Sequence, residues 1–126
     1  MKFLILASIA VAVVAIFTYF TLNPLRRSQE SIESRLYRIT PAGTSFQTAT
    51  SKLSSVFGKI SISDKCGFLR QDWPAATEVV GTKSIDVYLG EYYHFPVGQT
   101  DVTAYWGFDN NGKLIEIWVW KDTDSL

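Results

Sequence analysis

From Phe3 to Leu22 the chain reads FLILASIAVAVVAIFTYFTL, twenty residues without a charge, an amide or a proline. A helix of that length rises about 30 Å, the hydrocarbon thickness of a bilayer, so this segment predicts a membrane span. Apolar on every side, it cannot serve as an ordinary core helix, because the remaining chain is too short to surround it. A secretory signal has a shorter apolar stretch of about 7–15 residues followed by small residues at the cleavage point. Here the run ends TYFTLNP with bulky side chains, so the reading is an anchor that stays attached.

Lys2 stands on one side of the run and Arg26 and Arg27 on the other, so positive charge alone does not fix the orientation. A very short leading flank before a domain of about 100 residues fits a single-pass protein with its N-terminus inside and its C-terminal domain translocated. The expected organisation is an anchor over residues 1–24, a juxtamembrane helix or stalk over 25–40, and one globular α+β domain over 41–126.

Formal net charge is zero, but it is segregated. From Asp72 onward three lysines (Lys83, Lys113, Lys121) face nine carboxylates, while Arg26 to Arg70 is net basic. An acidic half argues against nucleic acid as a partner, since phosphates require Lys and Arg on the contact face. Cys66 is the single cysteine, which excludes an intramolecular disulfide; beside Gly67 and Phe68 it reads as a small buried apolar residue.

Asn23-Pro24 ends the apolar run. Leu25, Ile32, Leu36 and Ile39 then recur at helical spacing among alternating charges, a narrow stripe that could dock on the domain, pair with a second copy or remain a solvated tether. Thr40-Pro41-Ala42-Gly43 breaks the helix, and Thr44 or Ser45 can cap a new one over Ser45 to Phe57. Its apolar face carries Phe46, Ala49, Leu53, Val56 and Phe57, and Gly58 stops it. Thereafter the period falls to two, predicting strands near Ile60–Ile62, Phe68–Leu69, Glu78–Val80, Ile85–Phe95 and Val102–Phe108. A last hairpin turns at Asp109-Asn110-Asn111-Gly112. The fold class is thus α+β, two helices packed on one face of an antiparallel sheet of about four strands.

In the last strand Ile115, Ile117 and Val119 alternate with Leu114, Glu116, Trp118 and Trp120. With helices on the first face, Trp118 and Trp120, joined by Tyr105 and bordered by Glu116, form a candidate binding patch. The alternative is that the juxtamembrane helix or the membrane surface covers these rings. Catalytic signals are weak: His94 is the only histidine, a Cys66/His94 pair lacks any supporting motif, and the glycines form no phosphate cradle. No catalytic residue, metal site or cofactor is therefore assigned.

The helix entry Pro41-Ala42-Gly43-Thr44-Ser45-Phe46, with Ala49 and Leu53 behind it, resembles the helix opening of the small outer-membrane assembly lipoproteins, whose fold the β-lactamase inhibitor protein repeats share. The closing hairpin, Trp106-Gly107-Phe108-Asp109 through Gly112-Lys113-Leu114, is similar to that family's last two strands. The resemblance covers about Ile39 to Lys121, with a spanning segment where the family carries a lipidated cysteine. It implies a protein-binding domain in a bacterial envelope. The expectation is a non-enzymatic module on the inner membrane, its domain in the periplasm, contacting lipid through residues 3–22 and another envelope protein through the aromatic and acidic face, with inhibition or immunity as one form of such binding. Rival expectations are an envelope enzyme or ligand-binding domain using His94 and a carboxylate, and a structural envelope subunit.

Overall fold

The computed structural model describes residues 2–71 and 78–124, without side chains at 16–22 and 124; Asp72, one of the nine carboxylates, lies outside the described residues. Helix α1 runs Lys2–Leu22, 21 residues. Its described side chains stop at residue 15, and among the described residues no helix is long and apolar enough to cross a membrane. Asn23 caps a short 3-10 turn, Pro24–Arg26, through its side-chain oxygen. Helix α2 (Gln29–Ile39) follows from the Ser28 cap, and α3 (Phe46–Phe57) from the Ser45 cap. Six strands complete the chain: β1 (Ser61–Ser63), β2 (Phe68–Arg70), β3 (Glu78–Val80), β4 (Lys83–Tyr93), β5 (Gln99–Phe108) and β6 (Leu114–Asp124).

The main sheet is antiparallel with strand order β1-β4-β5-β6, and β2 and β3 form a separate two-stranded ribbon. The β5–β6 hairpin turns where the sequence predicts it. Asp109 accepts from the amides of Asn111 and Lys113 through its side chain, and Gly112 takes the positive φ that the turn requires.

One face of the sheet is the core. Ile85, Val87, Val102, Ala104, Trp106, Phe108, Ile117 and Val119 are buried there against Ile32 and Leu36 of α2 and Ala49 and Leu53 of α3. Phe46 meets Phe108 edge-on at 5.0 Å. Trp106 has no exposed surface, and its indole N–H donates to the equally buried Thr40 hydroxyl at 3.0 Å. The apolar stripe of residues 25–40 therefore docks on the domain, with Ile32 and Leu36 inside the same core as the strands.

Helix α2 also closes an edge. Among the described residues strand β6 has no neighbouring strand beyond it, so its outward amides need partners elsewhere. The Ile117 amide donates to the Tyr37 hydroxyl at 2.9 Å, and the Val119 amide to the Glu33 carboxylate at 3.0 Å. Two residues of strand advance about 6.6 Å and four residues of helix about 6 Å, which is why a helix pair at i and i+4 can serve a strand pair at i and i+2. At the start of β6, Leu114 donates to Thr44 O at 2.8 Å and accepts from the Gly43 amide at 2.9 Å. Burial raises the Glu33 carboxyl above its ordinary value, although the Val119 amide pulls the other way.

Two bulges correct the expected facing. Between Gly107 and Phe108 the register with β6 shifts, so that Glu116 pairs with Gly107 and Leu114 with Phe108. Ile115 becomes the extra residue and is exposed, while Leu114 turns into the core. The second bulge lies between Tyr88 and Gly90 of β4, where Gly90 adopts a φ of 135°. Cys66, expected to be buried, is exposed, because it sits in the loop between β1 and β2 and contributes only backbone groups to the contacts there.

Candidate functional site

The sheet face opposite the helices is built from cross-strand rows. Asp86 pairs with Tyr105 and Tyr105 with Trp118; Tyr88 pairs with Thr103 and Thr103 with Trp120. Beyond the β4 bulge the next rows are Glu91, Asp101 and Asp122, then Tyr93 and Gln99. The bulge is what delivers Glu91 and Tyr93 to this face, since uninterrupted alternation from Tyr88 would have placed Gly90 and Tyr92 there.

Trp118, Trp120, Tyr105 and Glu116 do share one face, as their spacing implies. Tyr105 and Trp118 stack at 5.4 Å, and Trp118 and Trp120 lie 5.2 Å apart. They are not an open patch, however. The β2–β3 ribbon roofs them: Phe68 lies nearly parallel to Trp118 at 6.0 Å and 5.5 Å from Tyr105, leaving Trp118 only 5 % exposed. Arg70 of the same ribbon pairs with Glu116 at 2.7 Å and sits over the Trp118 ring. Gly107 makes the approach possible, for a Cβ there would stand 2.8 Å from Val80 Cγ1 and 2.9 Å from Phe68 Cε1. The cover over Trp118 is thus the chain's own ribbon. Sequence reading missed it because β2 and β3 are three residues each and looked like continuations of the main sheet.

Asp86 borders two clefts among the described residues. One, of about 330 Å³, lies between ribbon and sheet and is bordered by Phe68, Asp86, Tyr105, Trp118 and Trp120. The other, of about 430 Å³, is bordered by Phe57, Ile60, Ser61, Asp86 and Tyr88. Asp86 touches both, and burial raises its carboxyl, opposed by a hydrogen bond from Ser61. His94 borders neither cleft; its ring lies 5.2 Å from Tyr92 and its Nε2 2.5 Å from the Thr100 hydroxyl. Cys66 is bonded through its carbonyl to Ser84, at the opposite end of β4 and on the order of 30 Å of strand away, so the two are not brought together. Among the described residues no group of three His, Cys, Asp or Glu side chains could hold a metal.

The uncovered part of the face is acidic and aromatic. Tyr88, 57 % exposed, donates its hydroxyl to Asp101 at 2.8 Å, and Tyr93, 49 % exposed, donates to Glu91 at 3.1 Å. Gln99 donates to both carboxylates. With Asp101 holding its proton and Glu91 nearby, the Tyr88 phenol is pushed up to about 12 and stays neutral. Two large rings are thereby held in place at the surface before any ligand arrives.

Comparison with protein-family models, curated proteins and solved structures returns no match.

Proposed function

We propose that this chain is a single-pass envelope protein whose α1 seats in the inner membrane and whose periplasmic domain binds a basic surface of another envelope protein. The observation that carries the binding reading is the pair of exposed tyrosines, Tyr88 and Tyr93, tied down by Glu91 and Asp101 on the open sheet face. Aromatic anchors that are already ordered lose little entropy on association, and a surrounding negative field speeds encounter with a positively charged partner. Inhibition of a basic enzyme or toxin is the specialisation that such a surface suits. The sequence of α1, apolar and uncharged from Phe3 to Leu22, supports the membrane reading.

The test uses surface positions, because Trp118 belongs to the packing beneath the ribbon and its loss would report on stability. Full-length protein in detergent, wild type or Tyr88→Ala/Tyr93→Ala, is used to capture partners from envelope extract. At hot-spot values of about 2 kcal/mol per ring, recovery by the variant falls by tenfold or more. Equal recovery with an unchanged melting temperature removes this face as the binding surface. For topology, a C-terminal alkaline phosphatase fusion is expected to be active and a C-terminal fluorescent-protein fusion dark; the reverse pattern places the domain in the cytosol.

A further inference from the structure

The β4–β5 connection, His94–Gly98, ends in Phe95-Pro96-Val97, with Phe95 90 % and Val97 54 % exposed. Isolated exposed apolar residues need no explanation, but these two sit at a defined place relative to the N-terminal helix. Leu25 lies against Gly90, where an added Cβ would stand 3.0 Å from Leu25 Cδ1. Arg26 donates to the Tyr93 carbonyl and stacks over the Tyr92 ring at 4.8 Å. Lys121, on the neighbouring end of β6, reaches the Arg27 carbonyl. The three-residue step from Leu22 to Leu25 spans at most about 11 Å. If α1 ends at the hydrocarbon boundary, Leu25 and the strand end that it touches therefore lie within or just beyond the headgroup layer.

Direction follows from α2. Leaving Arg27 beside Lys121, the chain meets Val119 at Glu33, Ile117 at Tyr37 and Leu114 at Gly43. It thus moves steadily along β6 away from the Phe95 end. The Asn110–Gly112 turn is the far end of the domain, and it is polar; the near end carries the exposed rings.

We propose that the Phe95-Pro96-Val97 tip inserts into the interfacial layer of the same bilayer that holds α1, giving the domain a second point of attachment. The inference rests on α1 being membrane-seated. A ring and a branched aliphatic side chain held by a tight connection suit the headgroup boundary. Charge does not drive the contact. Arg26, Arg27 and Lys121 are offset at this end by Glu91, Asp101 and Asp122, so insertion is expected in uncharged phosphatidylcholine as well as in anionic membranes.

In a Cys66→Ser background, full-length protein carrying a single cysteine at position 95 (F95C), 97 (V97C), 111 (N111C) or 13 (V13C) is labelled with an environment-sensitive fluorophore and reconstituted into phosphatidylcholine vesicles. The labels at 95 and 97 are expected to shift to the blue and to be quenched several-fold more than the label at 111 by a nitroxide carried near the lipid headgroup. Deeper nitroxides are expected to quench the label at 13. A label at 13 in lipid with 95 and 97 matching 111 overturns the tip insertion and leaves the anchor standing. A label at 13 in water overturns the anchor, and the second attachment falls with it. All four side chains are clear of the protein's packed interior, and unchanged circular dichroism verifies that each variant is folded.

Discussion

Replacing Tyr37 by phenylalanine removes one oxygen atom and leaves the ring where it is. That oxygen accepts the Ile117 amide at 2.9 Å, and Ile117 is 2 % exposed, so water cannot readily take its place. A buried donor left without a partner costs about 1–3 kcal/mol. For a domain of roughly 100 residues, with a total stability of about 5–15 kcal/mol, a loss of 2 kcal/mol lowers the melting temperature by about 10 °C. The damage is directional: the Ile117 amide loses protection while that of Val119, still held by Glu33, keeps it. Near-ultraviolet circular dichroism on full-length protein in detergent gives the melting temperature, and amide hydrogen exchange gives the two sites separately. Glu33→Gln is the companion variant, because a carboxamide oxygen still accepts the Val119 amide without burying a charge. It is expected to melt at or above the wild-type temperature at pH 7. If Tyr37→Phe melts within about 1 °C of wild type and exchanges Ile117 no faster, α2 does not seal the sheet edge and the reasoning fails.

The raised carboxyl of Glu33, whose ordinary value is 4.5, has a sign that can be checked. The folded chain holds this proton to higher pH than the unfolded chain, so its contribution to stability declines as pH rises from about 4.5 and is lost above the folded value. Urea titrations between pH 4 and pH 7 should show Glu33→Gln gaining on wild type as pH increases, and a constant difference contradicts the assignment. Asp86, raised from 3.8 by burial, predicts the same trend for Asp86→Asn. Trp106→Phe should destabilise by about 1–3 kcal/mol, since the Thr40 hydroxyl loses the indole donor in a fully buried site; chemical denaturation reads this directly. Phe68→Ala, at a position 4 % exposed, should cost about 3–5 kcal/mol and make Trp118 accessible to acrylamide; unchanged quenching argues against the ribbon as a cover. Cys66 should react with a water-soluble thiol reagent in the native protein, at a rate little altered by urea.

Local signals were legible in proportion to their length. Ser45 as a cap, Gly58 as a stop and Asp109–Gly112 as a turn each act through their own backbone, so sequence alone placed α3 and the last hairpin. Facing was harder. One extra residue at Ile115 and another beside Gly90 exchanged the sides of Leu114, Glu91 and Tyr93, and a bulge depends on both strands at once. The aromatic set Tyr105, Trp118 and Trp120 was read correctly as sharing a side, but not the Phe68 roof over it, which two three-residue strands build through side-chain contact. The docking of residues 25–40 stayed open for a related reason: a stripe of four apolar residues does not say what it lies on, whereas Tyr37 and Glu33 find their partners eighty and more positions away. The exposed tyrosines and their carboxylates were invisible as a cluster because only the bulge aligns them.

Glu33 and Val119 are 86 positions apart, and Arg27 and Lys121 are 94 apart, so α2 is tied to the sheet by contacts that form only after β6 has been made. The leading third of the domain has to wait, part of its greasy side uncovered, until β6 has emerged. Local pairing of the hairpins can run ahead, but closure of so long a loop comes last and slowly. A premature stop just short of Val119 would therefore leave more than a frayed tail: it would release the opening helix as well, and hand quality-control proteases a chain unfastened at both ends.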